Sequence, residues 1–147
     1  MLKKRYISII LLVILIFSLT GCGGKVDNTG AIITKLEVES VVNGQAEIFV
    51  INQHNNYKKI VDKDGKELSH EEFYWENDKK IKLSNDLSSA GFYNWDGFKS
   101  NNRAMSDALK LKVNATLSNG NKIKVSAYGD MPTNYHEVIK ILKIHFD

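Results

Sequence analysis

Few side chains in this 147-residue sequence stand together in the way that chemistry requires. His70-Glu71-Glu72 places three metal-capable groups side by side, but neighbours on an extended chain point to opposite faces. His54, His136 and His145 lack the spacing of a zinc site, so the expectation is histidines in surface loops. Asp62-Lys63-Asp64-Gly65-Lys66-Glu67 opens like a calcium loop, yet the third acidic position and the distal bidentate glutamate are missing. A solvated turn is the expected structure there. Glu71 and Glu72 are free carboxylates with nothing that singles out a pair for acid–base work. No serine or histidine lies in a nucleophile motif, and no glycine-rich phosphate loop occurs. These residues point to no catalytic group, no metal and no cofactor, and the expectation leans away from an enzyme. Only Cys22, the single cysteine, has a specific setting.

Binding chemistry is better represented. Two aromatic clusters, Phe73-Tyr74-Trp75 and Phe92-Tyr93-Asn94-Trp95 with Phe98 beyond, contain the candidate binding residues Tyr74, Trp75, Tyr93 and Trp95. Such rings stack on sugars or anchor a protein interface. Asn77, Asp78, Asn94, Asp96, Asn101 and Asn102 would supply a polar rim. The same rings would also serve to fill the core of a domain without disulfides. Trp95 is favoured over Trp75 because it adjoins the Asp96-Gly97 turn signal.

The setting of Cys22 has three parts. Lys3, Lys4 and Arg5 form a positive segment, residues 7–17 are apolar except for Ser8, and Ser18-Leu19-Thr20-Gly21 leads to the cysteine. The apolar run is short of the roughly 20 residues that span a bilayer. This order resembles the signal peptide and lipobox of bacterial lipoproteins. The resemblance covers residues 1–22 only. It implies a diacylglyceryl group on the Cys22 thiol and cleavage before Cys22, with palmitate-type chains holding the protein on the extracellular face of the cell membrane. Two acyl chains give stable anchoring where one does not. With Cys22 acylated, no thiol remains for a disulfide.

Of the 20 basic and 17 acidic residues, three basic and no acidic ones precede Cys22, so the mature chain balances at 17 of each. A nucleic-acid surface needs a surplus of Lys and Arg, and no such partner is expected. Lys, Asn and Ile are abundant while arginine occurs only at Arg5 and Arg103, a codon bias that fits a low-GC Gram-positive source.

The elements that must position these groups follow the anchor. Residues 22–30 comprise the acylated cysteine and a small, polar, glycine-rich tether. Residues 31–147 then make one globular, β-rich domain. Asn43-Gly44, Asp64-Gly65, Asp96-Gly97 and Asn119-Gly120 are turn signals. Residues 32–42 pair with 46–52, and 109–118 pair with 122–128, both with period-two alternation that marks half-buried strands. Lys80-Ile81-Lys82-Leu83 reads as another short strand, and Ser100 to Lys110 as a two-turn helix. The fold expected is all-β, a small antiparallel β-sandwich or barrel built of hairpins. The C-terminal segment is read as a final strand, the alternative being α+β with a C-terminal helix at 134–146.

The function expected is a membrane-anchored, non-enzymatic lipoprotein that binds a protein or peptide. Small lipoproteins that confer immunity to a toxin or bacteriocin share this layout of anchor and small domain. Binding of cell-wall glycan through Trp75 or Trp95 is the alternative, and an envelope-acting enzyme a further one. Replacing Cys22 by Ala is expected to abolish incorporation of labelled palmitate and to release the chain or leave it unprocessed. Retained label and unchanged membrane fractionation would overturn the anchor.

Overall fold

A computed structural model describes residues 27–102, 104 and 109–147. Six strands, β1 (Ile33–Val42), β2 (Gln45–Ile51), β3 (Asn56–Val61), β4 (Glu67–Phe73), β5 (Lys110–Leu117) and β6 (Lys122–Tyr128), form one sheet. Its order is β4-β3-β2-β1-β5-β6, and every neighbouring pair is antiparallel. Helix α1 (Asn77–Ser89) and a short 3-10 turn (Phe92–Trp95) follow β4, and helix α2 (Tyr135–His145) follows β6.

The turns act as their residue types require. Asn43 and Gly44 both have positive φ, 52° and 77°, the geometry of a two-residue hairpin whose twist matches its strands. At the β3–β4 turn, Asp62 Oδ1 accepts hydrogen bonds from the Asp64 and Lys66 amides, both at 2.9 Å. That aspartate is occupied in folding the turn, as the solvated-turn reading expects.

Alternation in the strands separates the two faces. Leu36 and Val38 on β1, Phe49 and Ile51 on β2, Leu111, Val113, Ala115 and Leu117 on β5, and Ile123, Val125 and Ala127 on β6 all point toward the helices and are buried. From the other side, α1 contributes Leu83 and Leu87, and α2 contributes Tyr135, Val138 and Leu142. Buried polar contacts tie the layers together. Tyr135 and Ser40 share a hydrogen bond of 2.7 Å between their hydroxyls, and Trp95 Nε1 donates to Thr133 O at 2.9 Å. Residues 97–102 run beside β6, exchanging backbone hydrogen bonds with Lys124, Ser126 and Tyr128 and covering that edge. Gly129 is needed there, because a Cβ on it would lie 2.5 Å from Asn102 O.

The hairpin-built, antiparallel β-rich fold expected from the sequence is the one adopted. It is one open sheet and not a closed barrel, and its second layer is helical. The C-terminal segment takes the helical alternative. Its apolar groups at Tyr135, Val138, Ile139, Leu142 and Phe146 share one side, while Ile144 is 63% exposed. Burial of that stripe outweighs the strand preference of its β-branched residues. Lys80–Leu83 also departs from its expected strand and lies within α1, where Leu83, Leu87 and the following Ala90 bury at helical spacing. Of the helix expected over 100–110, residues 100–102 run extended beside β6 and Lys110 begins β5 instead, while residues 103 and 105–108 lie outside those described.

Phe146 closes the end of the core. Its ring lies 5.3 Å from Phe49, 5.5 Å from Phe73 and 4.6 Å from Trp75. Phe146→Ala is therefore expected to lower stability to urea by about 3–5 kcal/mol. Tyr74→Ala, which removes an exposed ring, should change it by no more than about 0.5 kcal/mol. Similar losses from both would contradict this packing.

Candidate functional site

The four aromatic candidates do not form one surface. Trp75, Tyr93 and Trp95 are 6%, 9% and 3% exposed and belong to the core, whereas Tyr74 is 97% exposed. Tyr93 donates its hydroxyl to Ala31 O at 2.7 Å, so it fastens the start of the domain to the 3-10 turn. Burial raises the pKa of that hydroxyl. Trp75 packs on Phe146, and Lys79 Nζ lies 4.9 Å from its ring centre, a cation–π contact. Stacking on a sugar needs an accessible ring face, and neither tryptophan offers one.

The histidines also divide. His70 stacks on Tyr57 at 5.0 Å on the uncovered face of the sheet, while Glu71 points to the opposite face beside Lys58. Successive residues of that triplet diverge, as the strand requires. His145 corrects the expectation of surface histidines. It is 6% exposed, and its Nε2 lies 2.8 Å from Asp86 Oδ2 across the α1–α2 contact. Nothing in the spacing of residues 86 and 145 announces the pair, because it exists only once the helices are side by side. The His145 hydrogen bond and then that of Lys82 hold the Asp86 carboxyl below its ordinary pKa of 3.8. A second polar chain lies where the helical layer stops. Lys58 Nζ contacts Asp147 Oδ1 at 2.8 Å and Glu47 at 3.8 Å, and Lys143 contacts Glu47 at 2.8 Å. The hydrogen bond to Asp147 raises the Lys58 pKa.

What remains is the sheet face that no helix among the described residues covers. Its middle carries Val41, Ala46, Ile48, Val50, Tyr57 and Val61, all half-buried, together with Lys59, which pairs with Ile48 and lies 5.9 Å from the Tyr57 ring centre. Charge flanks this apolar centre unevenly. On β5 and β6, Lys110, Lys112, Lys122 and Lys124 occupy the open face with no carboxylate on either strand. At the far edge, β4 carries Glu67 and Glu72 on this face and Glu71 on the other, with no lysine or arginine. The equal totals of acid and base over residues 22–147 therefore conceal a segregation across the sheet. A hollow of about 700 Å³ lies on the basic side, lined by Glu39, Val41, Lys99, Lys110, Lys112 and Tyr128 among others.

No family model, curated protein or solved structure matches this chain. Among the described residues no group of three His, Cys, Asp or Glu side chains is placed to hold a metal ion. No helix among them is long and apolar enough to cross a membrane. Cys22, the expected lipid site, lies outside the described residues.

The Asp86 pair gives a pH dependence of defined sign. A carboxyl whose pKa is lowered by folding adds stability above its unfolded pKa and loses it as pH falls through the folded one. Asp86→Asn is expected to be less stable than the native chain above pH 3.8, by no more than about 1 kcal/mol because Asp86 is partly exposed. The difference should shrink as the pH drops below that value. Urea titrations of both chains between pH 7 and 2 measure it, and a difference independent of pH would rule out the charge-assisted contact.

Proposed function

We propose that this chain is a lipid-anchored lipoprotein of the extracellular membrane face, and that its domain binds a protein or peptide without catalysing a reaction. The address is supported by the order of basic segment, apolar run and Ser18-Leu19-Thr20-Gly21-Cys22. The binding role is carried by one observation, the uncovered sheet face with Ile48, Val50 and Tyr57 at its centre and charged groups around it. An apolar middle with a polar rim is the anatomy of a protein interface. The half-exposed side chains there are valines, isoleucine and tyrosine on rigid paired strands, so little order has to be gained on binding.

Tyr57 belongs to this centre and Lys140 to the outer side of α2. A photo-crosslinking side chain placed at Tyr57 in cells expressing the anchored protein is expected to yield a discrete protein or peptide adduct. The same group at Lys140 should not. No adduct from Tyr57, or identical adducts from both positions, would refute this use of the face.

A further inference from the structure

The lysines of β5 and β6 have an address as well as a charge. Lys35, Lys99, Lys110, Lys112, Lys122 and Lys124 are all exposed, and among the described residues none is in an ion pair with a carboxylate. Five of them project from the open face, and Lys99 lies on the segment that covers β6. Lys110 also lies 5.5 Å from the ring centre of Tyr128, which places an amphipathic ring within the stripe. Glu37 and Glu39 on β1 bound the stripe on its inner side.

Chain connectivity brings this stripe to the membrane. Asn28 accepts hydrogen bonds from Asn121 Nδ2 at 2.7 Å and Asn119 Nδ2 at 3.1 Å, which fixes the start of the domain to the β5–β6 turn. Tyr93 secures Ala31 three residues later. The start of the domain at Asn28 thus lies closer along the chain to Cys22 than the expected 22–30 tether allows for. Cys22 lies six residues before Asn28, and fully extended they reach no more than about 20 Å. Lys122 and Lys35, both paired with Thr116, are next to that same turn.

We propose that the β5–β6 side of the domain docks on the anionic phospholipid headgroups of the leaflet that holds its anchor. This rests on the lipoprotein reading for its biological setting, although the lysine face is a property of the folded domain. The charge asymmetry favours one orientation. The lysine side is attracted to an anionic surface while Glu67, Glu71 and Glu72 on β4 are repelled from it. The sheet then stands on its β6 side, and β4, five strand spacings away, is held about 24 Å further out. The apolar centre of the open face lies between the two and remains open to a partner. The acyl chains supply residence at the membrane, and the lysines supply orientation.

The test uses the chain from Cys22 onward, which contains every core residue, with Cys22→Ser so that no lipid contributes. Co-sedimentation with phosphatidylcholine vesicles containing about one-third phosphatidylglycerol is expected at about millimolar lipid, with none on phosphatidylcholine alone. Lys112→Ser/Lys122→Ser/Lys124→Ser should weaken binding about 100-fold, at about fivefold per lysine. The charge-matched Lys63→Ser/Lys66→Ser/Lys140→Ser should weaken it by less than about threefold, and circular dichroism confirms that both variants fold. Raising the salt should release the native chain from the vesicles. Absence of binding, equal binding to the neutral vesicles, equal loss from both variants, or binding to soluble poly(glycerol phosphate) with none to vesicles would each overturn the proposal. Failure of Cys22 acylation in cells would refute the anchor alone and leave the vesicle result to be read separately.

Discussion

Two helices and a short 3-10 turn have to cover the apolar face of six strands in a domain whose described residues contain no cysteine. Burial of that face is the main favourable term in folding, and it must offset the conformational entropy of the ordered residues. The helices cover β1, β5, β6 and the adjoining part of β2, where Leu36, Val38, Phe49, Val113 and Val125 are almost fully buried. Phe146 extends the cover to the end of the sheet by reaching Phe49, Phe73 and Trp75.

Beyond that limit the helical side of the sheet turns polar. Lys58 occupies the position on β3 opposite Phe49, and its side chain is only 14% exposed. A partly buried ammonium needs partners, and Asp147 and Glu47 provide them, with Lys143 completing the row. The boundary of the core thus consists of alternating charges joined across β2, β3, α2 and the residue that follows Phe146. Trp75 Nε1 and Asn56 Oδ1 sit near the same end without a protein partner among the described residues. They are where the polar accounting is least complete.

The economy of the cover has a consequence for function. Among the described residues, a six-stranded sheet with one helical layer leaves its other face without a helical cover, and the residues there determine what that face presents. The lysines of β5 and β6 and Glu67 and Glu72 of β4 fall at opposite sides of that face because the chain threads β5 against β1, on the far side from β2, β3 and β4. Formal neutrality over residues 22–147 becomes a directional charge in space. The start of the domain at Asn28 lies beside the basic side, next to the β5–β6 turn, and the apolar middle separates that side from β4.

The sequence alone determined the hairpins. Asn43-Gly44 and Asn119-Gly120 combine with strict alternation over residues 109–118 and 122–128, and local backbone sterics and side-chain period suffice to specify such turns and strands. It also carries the resemblance of residues 1–22 to a lipoprotein signal, a pattern that is linear by nature. Residues 135–146 were ambiguous because β-branched side chains on an apolar stripe suit either element locally, and only the sheet waiting to be covered selected the helix. The aromatic clusters were undecided for the same reason. A tryptophan that anchors a partner and one that fills a core have the same sequence surroundings, and burial of Trp75 and Trp95 became visible only with the layers assembled. The His145–Asp86 contact and the gathering of Lys110, Lys112, Lys122 and Lys124 opposite the β4 glutamates were likewise decided in three dimensions. Each depends on which distant segments lie side by side, and no local preference of the chain encodes that.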